Sequence, residues 1–350
     1  MSGGVDSSVT AALLQEQGYE VVGMTMQIWD YSSYTDKHGE TFGSCCSLDD
    51  VYDARRVAEQ LGIPFYVINF EKQFQRQVID RFCNDYLAGL TPNPCVLCNQ
   101  VLKFELLLRK ARELEADFLA TGHYAQILPG ADGGYALHKG IDKDKDQSYF
   151  LFTLTKEQMA QVRFPLGGMT KEEVRAHAAR FNLRVAEKAE SQDICFVPDG
   201  DYVRFLEEER QLDDCAGQIV HVTGQVLGQH QGYYRYTVGQ RKGLGIGWRE
   251  PLYVIRIDAA NKRVIVGEKQ HLLCQEMIVA NCVWNMAPLQ QPFASACRIR
   301  YRQQEQPAQI VPLDDQRVKV IFSTSQSGVT PGQAAVFYQG DRVLGGGWIQ

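Results

Sequence analysis

The chain has 350 residues, 45% of them hydrophobic and 22% charged, which is the balance of a globular protein and excludes a disordered, collagenous or fibrous one. This length calls for two or three domains. The net charge of −6, from 36 basic and 42 acidic residues, excludes a wholly basic nucleic-acid coat but not local basic patches. No window reaches the roughly 18 uninterrupted apolar residues of a membrane span. Met1-Ser2-Gly3-Gly4 carries neither the basic nor the apolar region of a secretion signal. Ten cysteines in such a chain read as reduced thiols in a cytoplasmic protein with no membrane partner.

In chain order, Val5, Val9, Ala12 and Leu13 recur at helical spacing, and Gly18 marks a stop. Residues 21–26 read as a buried strand. A second helix is expected from Asp49 to Leu61, then a strand from Pro64 to Phe70. A further helix near 104–114 precedes the apolar run Phe118-Leu119-Ala120. This alternation predicts an α/β domain with a doubly wound parallel sheet. Beyond about residue 215 the texture turns to short β-rich runs at 218–222, 233–238, 252–257 and 263–266, and similar runs continue to Trp348. They predict small barrels or sandwiches. The expected domains are therefore 1–200, a central β-rich domain at 201–270, and a C-terminal β-barrel at 271–350.

The most informative motif is Ser2-Gly3-Gly4-Val5-Asp6-Ser7-Ser8 at the opening of the first helix. Small residues allow close backbone approach, and the amides at a helix N-terminus favour an anion. No Gly-Lys-Ser/Thr follows, so this is not a Walker loop. A plain glycine turn with a capping Asp6 or Ser7 is the bland alternative. Two glycines, one acid and three serines at a single helix start favour a phosphate site.

The motif resembles the loop of the PP-loop ATP pyrophosphatases, whose fold is adenine nucleotide α-hydrolase-like. Other motifs narrow the likeness: Thr91-Pro92-Asn93-Pro94-Cys95-Val96-Leu97-Cys98-Asn99, Ala120-Thr121-Gly122-His123-Tyr124, Lys145-Asp146-Gln147-Ser148-Tyr149-Phe150, Asp193-Ile194-Cys195-Phe196 and Gly239-Gln240-Arg241-Lys242-Gly243. In this order they resemble the bacterial tRNA-specific 2-thiouridylases, across all three expected domains.

The resemblance implies ATP-dependent adenylation at C2 of the wobble uridine (U34), with release of pyrophosphate, followed by sulfur transfer from a cysteine persulfide. It implies ATP and Mg2+ at Ser2, Gly3, Gly4, Val5, Asp6, Ser7 and Ser8, with Met26 and Gly122 on the adenine side. Cys98 is similar to the family nucleophile and Cys195 to the persulfide carrier. Asn93, Pro94 and Cys95 would line the pocket of a flipped base. His123, Lys145, Asp146, Gln147, Arg300, Tyr301 and Gln333 are implied tRNA contacts. Lys, Glu and Gln acceptors and a cysteine desulfurase or sulfur-relay donor complete the implied partners.

Three departures qualify the pattern. Cys95 stands where some family members have Asp, so Cys95, Cys98 and Cys195 form a rival ligand set for a [4Fe–4S] cluster. Residues 297–302 alternate Arg298, Arg300 and Arg302 with Ile299 and Tyr301, which predicts a strand with one cationic face. Met1 stands directly before the loop, where the fold places its first strand, and a sheet without that strand would leave the loop unanchored. Cys45, Cys46, Cys83, Cys215, Cys274, Cys282 and Cys297 carry no motif and read as ordinary thiols. Two other functions stay open: a different PP-loop ATP pyrophosphatase acting on a small metabolite, and a non-catalytic tRNA-binding protein on the same scaffold.

Overall fold

The computed structural model describes residues 1–29, 48–130, 133–188, 194–197, 200–212, 214–286 and 291–350; Cys45, Cys46 and Asp193 lie outside them. Two compact units emerge. One comprises residues 1–79, 95–202 and 341–343, the other residues 80–94, 203–340 and 344–350.

The first unit opens with helix Val5–Glu16, whose Val5, Val9 and Leu13 share one buried face. That face packs on Val57 of helix Leu48–Leu61 and on Val174 and Ala178 of helix Lys171–Arg180. Strand β1 (Gly23–Gln27) runs parallel to β2 (Phe65–Asn69), with Met26 opposite Ile68. A second parallel pair joins β3 (Leu119–Ala120) to β6 (Val162–Arg163). Between them, β4 (Ala125–Pro129) and β5 (Tyr135–Lys139) form an antiparallel hairpin that residue patterning did not reveal. Among the described residues no strand precedes the Ser2–Ser8 loop. Met1 instead lies beside β1, its amine reaching the Met24 carbonyl and its carbonyl accepting from Thr25 Oγ1 at 2.5 Å.

The expected helix near 104–114 starts earlier. An α-turn at Pro94–Leu97 leads into a π-helical stretch at Cys98–Leu107, and α-helix resumes at Leu108–Glu113. Pro94 suits a helix start because its missing N–H would have had no partner there. Widened helical turns concentrate at functional sites, and this one begins on Cys98.

In the second unit, four strands order as β8 (Val226–His230), β7 (Gly217–His221), β10 (Arg263–Glu268) and β9 (Leu252–Asp258). Residues 233–238, expected as a strand, form a 3₁₀ turn at Tyr233–Arg235 followed by irregular chain. Buried Tyr233 and Tyr234 turn this segment inward, and their hydroxyls donate to the Leu87 carbonyl at 2.9 Å and Glu207 at 2.8 Å. Aromatic β-propensity yielded here to side-chain anchoring.

Six strands, β11 (Leu273–Trp284), β12 (Phe293–Arg298), β13 (Gln306–Pro312), β14 (Val318–Ser327), β15 (Ala334–Gln339) and β16 (Arg342–Ile349), form the remaining sheet. It closes into a barrel in the order β11-β14-β13-β12-β15-β16, with Val279 of β11 opposite Ile349 of β16. Closure removes both edges. Val279, Ile310, Val320 and Phe337 fill the interior.

The cationic strand expected at 297–302 ends at Arg298. Arg298 pairs with Glu305 and stacks on the Tyr338 ring with its guanidinium 5.2 Å from the centroid. Residues 299–302 bend and turn, and Ile299 is buried. Ile299 is buried as the alternation requires, but the strand ends at Arg298 and the chain turns, so the three arginines do not form one row.

Candidate functional site

The Ser2–Ser8 loop is built on close approach. Gly3 holds φ at +68°, and a Cβ there would lie 2.3 Å from the Asp50 carbonyl. Asp50 is itself fixed by Lys188, 2.7 Å from its carboxylate. Gly4 caps helix Val5–Glu16 in extended geometry with no side chain bonded to the first-turn amides. Those amides are the donors that a helix start offers to an anion. The hydroxyls of Ser7 and Ser8 donate back to the Gly4 carbonyl at 3.3 and 2.9 Å, and the Ser2 amide donates to Ser7 Oγ at 3.0 Å.

Gly122 presses onto this loop. A Cβ on it would fall 2.8 Å from Asp6 C and 2.9 Å from Ser7 N. The Ala120–Tyr124 segment and the phosphate-type loop are therefore in backbone contact, which the sequence motifs gave no means of seeing. Met26, on β1, is half-buried.

Asp6 is held from two sides. Lys171 Nζ donates to Oδ1 at 2.7 Å and Oδ2 at 2.9 Å, and Tyr124 Oη donates to Oδ1 at 2.8 Å. Lys171 is 8% exposed and also lies 5.5 Å from the Tyr124 ring centroid. Sequence reasoning missed Lys171. It stands 165 positions from Asp6, and its neighbours read only as a helix start, with Thr170 and Glu173 forming a capping box.

Several residues expected on the RNA are internal. His123 is 7% exposed and packs against Phe104 and Phe164. Lys103 Nζ lies 3.3 Å from its Nε2 and Thr121 Oγ1 2.7 Å from its Nδ1. An ammonium can only donate, so Nε2 accepts and Nδ1 carries the proton. Burial, reinforced by the Lys103 charge, holds the His123 pKa well below its ordinary value, and the ring is neutral. Asp146 is likewise buried, accepting from the Gly140 and Ser148 amides at 3.1 Å each and from Ser148 Oγ at 2.9 Å. Gln147 binds the Tyr124 backbone at both ends, accepting its amide at 3.0 Å and donating to its carbonyl at 2.8 Å. Gln147 ties its loop to the Gly122–Tyr124 segment, while Asp146 orders Gly140 and Ser148; Lys145 and Gln147 are both half-exposed.

In the second unit, Gln333 Nε2 donates to the carbonyls of Thr91 and Pro92 at 3.1 and 3.0 Å, and the Thr91 amide donates to the Pro331 carbonyl at 2.8 Å. Gln333 thus steadies the chain leading into buried Asn93 and Pro94. Arg300 is exposed, with Nη2 donating to the Gly328 carbonyl and Thr330 Oγ1 at 2.9 Å each. Tyr301 is half-buried.

Cys95 is exposed, whereas Cys98 and Cys195 are half-buried and belong to the same unit. Phe196 beside Cys195 packs edge-on against Phe74, ring centroids 5.4 Å apart. Among the described residues no three His, Cys, Asp or Glu side chains converge to hold a metal. Burial pushes Cys83 up to about 11 and Cys282 up to about 12, and raises Cys297, sealed in the barrel core, further still.

Comparison with known proteins gives a consistent assignment. A family model described as tRNA methyl transferase HUP domain matches residues 1–199. Models described as tRNA methyl transferase PRC-barrel domain and aminomethyltransferase beta-barrel domain match 204–268 and 274–349. A tRNA-specific 2-thiouridylase MnmA of Geobacter metallireducens is 62% identical over the whole chain and 95% of its own length. Proteins of that same name from Geotalea uraniireducens and Syntrophotalea carbinolica are 61% and 57% identical, covering 100% of this chain and 93% and 97% of theirs. Full-length identity at this level, over a loop, a cysteine-bearing helix and a closed barrel, places the chain in the tRNA-specific 2-thiouridylase family.

Proposed function

We propose that this chain is a tRNA 2-thiouridylase, a sulfurtransferase that converts the wobble uridine of tRNA to 2-thiouridine at the expense of ATP. The observation that carries the reading is the loop in which Gly122 abuts Asp6 and Ser7 while Lys171 and Tyr124 fix the Asp6 carboxylate. The names of the full-length relatives support it.

The chemistry follows from the substrate. The C2 carbonyl of uracil is a poor electrophile, because its flanking nitrogens donate into it and oxygen leaves badly. Attack by that oxygen on the α-phosphate of ATP forms an O–P bond and expels pyrophosphate, so AMP becomes the later leaving group. The Gly3–Ser8 amides are the donors for the departing charge. Mg2+, which takes its ligands largely from phosphates and water, would bring charge neutralisation; Asp6 is the carboxylate this loop offers it.

Sulfur arrives next. A persulfide on Cys195 attacks C2 through its terminal sulfur and expels AMP. The Cys98 thiolate then attacks the sulfur of Cys195, forming a Cys98–Cys195 disulfide and releasing 2-thiouridine. An external thiol reductant returns the pair to thiols. Cys98 opens a widened helical turn, and both cysteines lie on partly exposed segments, as a relay that accepts sulfur from a cysteine desulfurase or a carrier protein requires. Asn93, Pro94 and Cys95 border the flipped base, and Lys145, Arg300 and Tyr301 contact the tRNA. The acceptors are tRNAs for Lys, Glu and Gln, and the reaction belongs to the cytoplasm. No helix among the described residues is long and apolar enough to cross a membrane.

Nucleoside mass spectrometry of tRNA incubated with the protein, ATP and a sulfur source tests the reading. 2-Thiouridine that depends on ATP is expected. Its absence with an active persulfide donor, or its formation without ATP, overturns it.

A further inference from the structure

The Gly239-Gln240-Arg241-Lys242-Gly243 motif has no part in the chemistry above, yet it belongs to a long connection without regular structure. Residues 236–251 link the Tyr233–Arg235 turn to β9 with neither helix nor strand. Ordered loops of this length in a compact domain are usually functional. This one is held in place. Val238 and Leu244 are buried, the Gly239 amide donates to the Val254 carbonyl at 2.8 Å, and the Val254 amide donates to the Gln240 carbonyl at 2.9 Å. Gln240 closes it internally, accepting from the Thr237 amide at 3.0 Å and donating to the Lys242 carbonyl at 2.9 Å.

The loop ends at a wide-open cavity of about 800 Å³ lined by His221, Thr223, Gln225, Gly247, Trp248 and Arg249, of which only His221 and Trp248 are not exposed. Its aromatic wall is fixed rather than loose. Trp248 Nε1 donates to Glu268 Oε1 at 3.1 Å, and the indole lies against the His221 ring at 5.1 Å between centroids. His221 is anchored in turn, with Nε2 3.2 Å from Glu268 Oε2 and Nδ1 2.9 Å from Thr223 Oγ1. Glu268 is 8% exposed, so its charge is spent on these partners and on His271, 3.4 Å away. Arg249 of the lining is exposed, with Glu250 the neighbouring acid, and Arg241 and Lys242 earlier in the same connection are exposed as well.

A rigid indole beside an exposed guanidinium, with amide and hydroxyl groups between, matches one ligand chemistry: a flat base joined to a phosphate. We infer that this cavity of the middle sheet binds a single unpaired nucleotide of the tRNA, its base on Trp248, its edge or 2′-hydroxyl against Gln225 and Thr223, and its phosphate on Arg249. Stacking on aromatic rings is how proteins hold unpaired RNA bases. The same connection carries two more exposed cations, Arg241 and Lys242, and three cations exceed what one phosphate needs, which favours a polynucleotide over a free mononucleotide. The inference rests on the thiolase reading and adds an RNA subsite in a domain without catalytic cysteines.

The test measures binding of unmodified tRNA to the full chain across a salt series, with Trp248→Ala, Trp248→Phe, Arg249→Ala and Gly247→Leu. Trp248→Ala should weaken binding about five- to hundredfold, the range for loss of one stacked base, and Trp248→Phe should restore most of it. Arg249→Ala should lower the slope of log affinity against log salt by about one. Gly247→Leu narrows the cavity without a backbone clash, since nothing lies within 4 Å of a Cβ there, and it should mimic Trp248→Ala. All four should keep the far-ultraviolet circular dichroism of the parent. Wild-type affinity and slope in Arg249→Ala and Gly247→Leu overturn the subsite while leaving the thiolase reading intact. A wild-type chain that binds no tRNA overturns the thiolase reading itself. Equilibrium dialysis with AMP on Asp6→Ala separates the sources: a second mononucleotide site lost in Arg249→Ala overturns the RNA assignment in favour of a free nucleotide. Normal tRNA binding with impaired uptake of sulfur from a protein persulfide overturns it in favour of a donor-docking face.

Discussion

Lys171 places its ammonium 2.7 and 2.9 Å from the two carboxylate oxygens of Asp6, across 165 positions of chain. The lysine side chain is 10% exposed and the aspartate side chain 32%, so this pair is sheltered on the lysine side and open towards the loop. An acid at the start of a phosphate-type loop would repel a triphosphate unless a cation sits beside it. Lys171 supplies that cation, and Tyr124, donating to Oδ1 at 2.8 Å, fixes which way the carboxylate faces.

Asp6→Asn and Lys171→Met should both lose tRNA-dependent release of AMP and pyrophosphate by about 10²–10³-fold, the scale for removing one charge-stabilising group. Both should keep the far-ultraviolet circular dichroism of the parent. Product analysis checks the chemistry as well as the rate. Release of ADP and phosphate in place of AMP and pyrophosphate would remove the pyrophosphatase assignment.

Gly122→Ala puts a methyl within 3 Å of the Asp6 and Ser7 backbone, so the loop has to move. ATP affinity should fall at least about tenfold, as expected when backbone that cradles a phosphate is displaced, while tRNA affinity stays near the parent value. Isothermal titration with a non-hydrolysable ATP analogue reads the first quantity and filter binding the second. Unchanged nucleotide affinity would show that Gly122 does not set the loop position.

Cys98→Ser and Cys195→Ser should each eliminate 2-thiouridine, whereas Cys297→Ala should retain it. Alanine is the better control in the barrel core, because a buried serine hydroxyl without a partner costs about 1–3 kcal/mol. Timed alkylation near pH 8 supplies an independent measurement. Cys83 and Cys282, pushed up to about 11 and 12, and Cys297, raised further in the barrel core, stay protonated and should react last, while exposed Cys95 reacts early. Full thiolation by either of the first two serine variants with a physiological donor would cancel that residue's role.

Cys95 separates the relay from the rival cluster. Cys95→Ser should keep most of the thiolation activity, and anaerobically purified protein should carry no stoichiometric iron. Loss of both iron and activity in Cys95→Ser would instead mean that the three thiolates converge on a cluster when the protein is at work.

Glu268 gives a pH prediction. Hydrogen bonds from its own backbone and from Trp248, with His221 adding, hold its carboxyl down at about 2. A carboxyl depressed on folding contributes stability that is fully present above its unfolded pKa and is lost as pH falls through the folded one. Stability of the parent should therefore drop more steeply than that of Glu268→Gln between roughly pH 4.5 and pH 2. Chemical denaturation at several pH values measures the two slopes, and parallel slopes would remove the coupling.

Residue order alone determined a great deal about this protein. Alternating periodicities announced helices at 5–16 and 48–61 and strands near 23–27 and 65–69 within a residue or two, because those elements carry their own apolar faces. The change to short β runs after residue 215 marked the β-rich half for the same reason. The loop was legible because glycines and serines at a helix start are a local device, and the cysteine-bearing motifs because each is contiguous.

What tertiary structure decided was always non-local. Lys171 meets the loop only after folding, so no window of sequence contains its role, and Gly122, expected at the nucleotide site, shows its close approach to Asp6 and Ser7 only in the fold. His123 and Asp146 sit in motifs that resemble RNA contacts, yet both are buried and fully engaged with neighbours; motif membership says a position is constrained, not which surface constrains it. The arginines of 298–302 read as one strand face, but the strand ends at Arg298 and the chain turns, with Arg300 bonded to the Gly328 carbonyl and Thr330. Local pattern fixes an element wherever its own residues supply the burial, and partners far along the chain decide it wherever the energy comes from packing and charge between elements.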